Sequence, residues 1–155
     1  GGNIVSNATC FSPDGRTLYH ADSHAGVIRA FDYGLDGSIT QERVFVDTRP
    51  DGSGPDGATV DAEGCVWVAL VLAGKVARYA PDGRLLRTLS LPVSYPTCPC
   101  FGGADLDTLF VTSIRDSGNA LRSTDPAAGA LVTVTGLGVR GLPKVPFAGL
   151  PPPSA

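Results

Sequence analysis

The feature that most constrains this chain is that it repeats itself. Pro13-Asp14-Gly15-Arg16-Thr17-Leu18-Tyr19 aligns with Ala62-Glu63-Gly64-Cys65-Val66-Trp67, and again with Leu106-Asp107-Thr108-Leu109-Phe110. Each is an acidic turn running into a strand with an aromatic residue at the matching place. Tyr19, Trp67 and Phe110 are 48 and 43 residues apart, and the turn glycines Gly26 and Gly74 are 48 apart. Val27-Ile28-Arg29-Ala30-Phe31 is echoed by Val76-Ala77-Arg78-Tyr79, and Ala128 to Val134 forms a third, weaker copy. A period of about 40–50 residues made of short strands is that of β-propeller blades. The 155 residues hold about three of them. Three blades do not close a ring, since propellers take roughly four or more. A β-sandwich also has many short strands, but it does not predict this self-similarity.

Local signals agree with an all-β chain. With 20 Gly and 13 Pro, no sustained helical period survives. Strands are expected at Thr17 to Ala21, Val27 to Phe31, Cys65 to Leu70 and Lys75 to Tyr79. Asp14-Gly15, Asp36-Gly37, Asp51-Gly52, Asp56-Gly57 and Asp82-Gly83 read as tight turns, because Gly tolerates positive φ and Asp caps its own backbone. The organisation expected is a partial propeller over 1–142 and a proline-rich tail over 143–155.

Several function classes drop out. The formal net charge is −3 and the arginines are spread singly, so no basic patch marks a nucleic-acid partner. No apolar stretch reaches the ~18–20 residues that span a bilayer, and the first residues do not resemble a signal peptide. The cysteines are Cys10, Cys65, Cys98 and Cys100. They lack a second pair that would complete a zinc set, and Cys98-Pro99-Cys100 is too constrained to bridge easily. They read as free thiols in a reducing cytoplasm, where the chain is placed. The chain contains no Met, which leaves either a processed start or a piece of something longer.

Two polar islands precede inner strands of successive blades: Ser6-Asn7-Ala8-Thr9 and Gly54-Pro55-Asp56-Gly57-Ala58. In a propeller such positions converge on the axis. Asn and Asp are hard oxygen donors suited to calcium, magnesium or manganese and tolerated by zinc. A metal there polarises a lactone carbonyl, and a carboxylate beside it deprotonates water. The bland alternative for both is turn chemistry alone. His20, in a strand, and His24, at its turn, read as surface or strand-edge hydrogen-bonding groups rather than as a catalytic pair. Asp22 lies on the same face as His20. Arg115 and Asp116 read as a surface pair.

Four segments in register resemble the regucalcin (senescence marker protein), gluconolactonase and luciferin-regenerating enzyme family. They are Ser12 to Tyr19 with Ala21-Asp22-Ser23; Pro55-Asp56-Gly57 through Asp61-Ala62-Glu63-Gly64 to Trp67-Val68-Ala69; Phe101-Gly102-Gly103 with Leu109 to Ser113; and Gly136 to Gly141. The resemblance implies the C-terminal half of a six-bladed propeller. It further implies one divalent metal on the axis, held by a Glu, an Asn and an Asp. The Asn falls on Asn7 and the Asp on Asp56, which is also the expected base; the Glu belongs to a blade outside this chain. Thr97 and Cys98 occupy the corresponding position one blade on and are expected to line the cavity without binding metal.

The family's Asn-Gly-Leu reads Asn7-Ala8-Thr9 here. Since Ala disfavours positive φ, a shifted Asn7 loop is expected. The activity implied is hydrolysis of a small sugar lactone to its aldonic acid. The alternative is a non-catalytic calcium-binding or divalent-metal-binding protein that works by self-association through its open propeller edges.

Overall fold

A computed structural model describes Gly2 and residues 4–144. The chain turns back on itself in order, so within each sheet every strand pairs antiparallel with the next. The first sheet is β1 (Ser6–Phe11), β2 (Thr17–Asp22), β3 (Val27–Tyr33) and β4 (Ile39–Asp47). A short 3-10 turn, Arg49–Asp51, leads to the second: β5 (Pro55–Val60), β6 (Val66–Leu70), β7 (Lys75–Tyr79) and β8 (Leu85–Ser90). The third contains β9 (Pro96–Gly102), β10 (Thr108–Ser113) and β11 (Val132–Val134). These are three propeller blades, with the inner strands β1, β5 and β9 side by side. Among the described residues no helix is long and apolar enough to cross a membrane.

The repeat has a packing reason. Alternate residues of a strand face opposite sides of its sheet, and in the middle blade both sides are covered. Every residue of β6 is therefore buried, which is why Val66-Trp67-Val68-Ala69-Leu70 is an unbroken apolar run. Val66, Val68 and Leu70 pack toward the first blade with Tyr19, Ala21, Ile28 and Tyr79. Trp67 packs the other way, toward the third blade, with Phe101, Leu109, Val111 and Leu137. Tyr19 and Trp67 thus do the same work: each fills the gap to the following blade. Phe45 joins Tyr19 to Tyr79, with ring centroids 4.7 and 6.4 Å apart. Phe110, their counterpart, alternates with the buried Leu109 and Val111 and so lies on the far face of the third blade, where it is half-exposed. On the near face of the first blade, Phe11 is 42% exposed and packs edge-on to Tyr33.

Turn chemistry holds at the hairpins. Gly26 and Gly74 close β2–β3 and β6–β7 at φ 65° and 63°, a region that costs other residues about 1–2 kcal/mol. At Asp14 the carboxylate accepts from Ser12 Oγ (2.6 Å) and from the Arg16 N–H (3.0 Å).

Two expectations need correction. Asp56-Gly57 is not a turn; it lies inside β5, because the chain has already turned at Arg49–Asp51 and Gly52. Asp116 pairs with Arg122 at 2.6 Å rather than with Arg115; an isolated bridge between Asp116 and Arg122 sets that pairing within the β10–β11 connection. The third copy keeps the same order: Ala128-Gly129 lies in a turn, with Gly129 at φ 79°, and Val132–Val134 pairs with β10. The Gly136–Gly141 segment then returns under the second blade. The Arg140 carbonyl accepts from the Ala62 N–H at 2.8 Å, and the Gly141 N–H donates to the Leu106 carbonyl at 2.8 Å. Beyond Lys144 the proline-rich tail lies outside the described residues.

Candidate metal and catalytic site

Each inner strand breaks register at the same place. The irregularity lies between Asn7 and Cys10 in β1 and between Pro55 and Ala58 in β5. In β9 it lies between Pro96 and Pro99, opposite Ser113 and Val111. A bulge turns a side chain out of the regular alternation. Here it turns Asn7 of one blade and Asp56 of the next into a single cavity of about 640 Å³. In β1 the bulge is made by Ala8 at φ 52°. Ala8 thus adopts the positive φ that its Cβ disfavours. Ala8 is 2% exposed within the core, and packing holds it in a conformation that costs roughly 1–2 kcal/mol. In β5 the same position is Gly57. A Cβ there would stand 2.8 Å from the Cα of Cys98, so the close approach of β5 to β9 requires glycine.

Hydrogen bonding sets the orientation of Asn7. The Ser23 hydroxyl has one hydrogen, and it goes to the Pro55 carbonyl at 2.6 Å. Ser23 Oγ can then only accept from Asn7, whose Nδ2 lies 2.9 Å away. The amide nitrogen is thus committed, which leaves Oδ1 as the atom that can bind a ligand. The same serine links the two blades through Pro55, the residue before Asp56. The loop that delivers Asp56 is packed just as closely: Gly54 lies against the Ser23 carbonyl with no space for a side chain. Buried Thr48 places its hydroxyl 3.0 Å from the Gly26 carbonyl and 2.8 Å from that of Ser53.

Asp56 is partly buried, and no ion pair to it is seen among the described residues. Burial pushes its carboxyl above the ordinary carboxylate value, offset in part by the Gly57 N–H. A desolvated carboxylate and an amide oxygen lining one cavity form a hard, anionic donor set of the kind that suits a divalent cation. Among the described residues no group of three or more His, Cys, Asp or Glu is placed to hold a metal ion.

The other sequence candidates sit elsewhere or act differently. His20 exchanges a hydrogen bond with Thr9 Oγ1 at 3.1 Å, away from the cavity. His24 does line the cavity. Asp22 is a structural acceptor, taking the N–H groups of Ile4, Val5 and His24 at 3.1 Å each. Thr97 bonds Thr112 at 2.6 Å, and neither it nor Cys98 is among the lining residues. Sequence reasoning missed Arg49, Asn119 and Leu121, which also line the cavity. Asn119 and Leu121 come from the non-repeating β10–β11 connection, where no periodic signal exists to find them.

Residues 1–115 match the model of the SMP-30/gluconolactonase/LRE-like region. The chain belongs to that family. Among relatives of this family, regucalcin of Gallus gallus is 40% identical over 148 residues, covering 94% of this chain and 50% of that protein. The 6-deoxy-6-sulfogluconolactonase of Pseudomonas putida is 37% identical over 147 residues, with the same coverage of both chains. A crystal structure of regucalcin from Agrobacterium tumefaciens, described as a calcium-binding protein, superposes with a TM-score of 0.78 at 32% identity. It covers 90% of this chain and 48% of that one. The chain thus spans about half the length of the curated relatives it matches.

Proposed function

We propose that this chain carries half of the active site of a sugar lactonase, and that Asn7 and Asp56 hold a divalent cation there. The observation that carries the reading is the pair of matched bulges. They bring an amide oxygen with no hydrogen-bond partner among the described residues and a desolvated carboxylate from two blades into one cavity. Membership of the gluconolactonase-like family supports the reaction class. Calcium, zinc, magnesium and manganese all suit such donors. When bound, the cation supplies a Lewis acid to the lactone carbonyl.

The chain's own residues supply proton transfer and orientation. Asp56 takes a proton from water as the water oxygen bonds to the carbonyl carbon. The ring C–O bond then breaks, and the ring oxygen leaves with the proton that Asp56 returns. The product is the open hydroxy acid, with one water added. A carboxyl held above its ordinary value is better matched to this exchange near neutrality than an unperturbed one. Asn7, locked by Ser23, orients the site without exchanging protons.

The test is lactone turnover by the whole protein. Asp56→Asn is expected to lower kcat by at least about 100-fold, and a chelator to abolish turnover reversibly. Full-rate hydrolysis by Asp56→Asn with metal bound overturns the base assignment. Stoichiometric cation binding without turnover of any aldonolactone replaces the reading with a binding protein.

A further inference from the structure

We propose that a second cavity, between the first two blades, binds an aliphatic diamine through Asp14 and Asp82. Its volume is about 580 Å³, and it shares no lining residue with the cavity of Asn7 and Asp56. The two carboxylates come from identical turns, Pro13-Asp14-Gly15-Arg16 between β1 and β2 and Pro81-Asp82-Gly83-Arg84 between β7 and β8. Packing brings these turns together across Gly64. A Cβ on Gly64 would stand 3.6 Å from Pro81 Cγ and 3.7 Å from Pro13 Cδ. Gly83 lies against the Phe45 carbonyl with no space for a side chain, so the second turn is seated on β4 of the first blade.

The charges lining this cavity do not cancel. Glu63 is held by Arg78 at 2.7 Å, and Arg43 by Asp32 at 2.7 Å and the Gln41 carbonyl at 3.1 Å. Asp14 and Asp82 remain. In each turn Oδ1 accepts the N–H of the arginine two residues on at 3.0 Å. Oδ2 is then without a hydrogen bond among the described residues, and Arg84 approaches that of Asp82 only to 4.0 Å. The Ser12 hydroxyl and the Arg16 N–H hold the Asp14 carboxyl below its ordinary value, so it is ionised at neutral pH. Carboxylates on separate turns do not close on one metal ion; they suit two positive charges joined by an apolar stem. Pro13, Pro81 and Phe45 line the space for such a stem, and an aromatic face attracts an ammonium group.

Tyr19 brings a polar group with no partner to the same place. It is 3% exposed and lines the cavity, its ring 4.7 Å from that of Phe45. Its hydroxyl has no hydrogen-bond partner among the described residues, yet it is not sealed in, since Thr59 Oγ1 alone is both sealed and unpartnered there. The hydroxyl therefore opens on the cavity. Burial pushes its pKa up, so it stays a neutral oxygen able to accept from an ammonium N–H.

The probes are 1,4-diaminobutane and n-butylamine, each titrated into the protein at low salt and followed by backbone amide NMR. The diamine is expected to bind at least about fivefold tighter, more than its two equivalent ends give by counting. Shifts are expected to centre on residues 12–17 and 80–84. Asp14 and Asp82 are exposed, and Asp14→Asn or Asp82→Asn should each lower the ratio to about two, the counting value. Tyr19→Phe keeps the ring and should weaken the diamine at least about twofold. A ratio of about two in the unsubstituted protein overturns the proposal, as does a higher ratio that survives both carboxylate substitutions. Undiminished diamine binding by Tyr19→Phe overturns it as well. So do shifts centred on residues 52–57, a result that needs no variant to fold.

Discussion

Replacing Asp61 by Asn is expected to cost this chain about 3 kcal/mol. Asp61 follows directly on β5, the strand that carries Asp56, and is fully buried. One carboxylate oxygen accepts the N–H groups of Glu63 and Cys65, both at 3.0 Å. The other accepts Trp67 Nε1 and Arg78 Nε, both at 2.8 Å, with Arg78 Nη2 at 2.7 Å. Asn offers one acceptor oxygen and one NH2 group. Whichever way it is turned, at least two donors lose their acceptor, at about 1–3 kcal/mol for each that is buried. Arg78, only 12% exposed, also loses its buried counter-charge. Removing one member of such a pair costs roughly 3–5 kcal/mol. Arg78 keeps Glu63 at 2.7 Å and stacks over the Trp67 ring at 5.6 Å, which places the expected cost at the lower end of that range.

The assay is urea unfolding followed by far-UV circular dichroism and by the fluorescence of Trp67, the single tryptophan. The midpoint should fall with m unchanged. Glu63→Gln is the control: Glu63 is 61% exposed, and losing it should cost no more than about 0.5 kcal/mol. A loss under about 1 kcal/mol for Asp61→Asn would refute the view that this carboxylate anchors the inner strand.

Two further perturbations probe the site itself. Burial raises the Asp56 carboxyl, so the folded chain penalises its ionised form. The resulting stability is present below the ordinary carboxylate value and is lost as pH rises through the raised one. Asp56→Asn should therefore melt higher than the natural chain at neutral pH, with the gap closing at about pH 3; a natural chain that melts higher at neutral pH contradicts this. Gly57→Ala drives a Cβ to within 2.8 Å of the Cys98 Cα, a backbone contact that no rotamer relieves. It should lower stability by about 1–3 kcal/mol, and an unchanged melting temperature would show that β5 and β9 part freely.

The sequence alone determined the blades. Side chains alternate across a strand, and every blade must fill the gap to the next, so the aromatic at Tyr19 and Trp67 recurs with the architecture. The turn glycines Gly26 and Gly74 were legible for the same reason, since only their backbone geometry is at stake. The polar islands at Asn7 and Asp56 were visible as interruptions of that repeat. Only the tertiary structure decided how they are presented. The bulge at Ala8 breaks the local φ preference because core packing outweighs it. The free face of Asn7 depends on a proton that Ser23 gives to a carbonyl of the next blade. Nothing in the repeat singled out Asp61, whose carboxylate joins β6 and β7 to the strand that bears the site. Arg49 and Asn119 reach the cavity from connections of no fixed period. Periodicity records what each residue faces within its own sheet, whereas a site between blades is set by which residues meet across the gap.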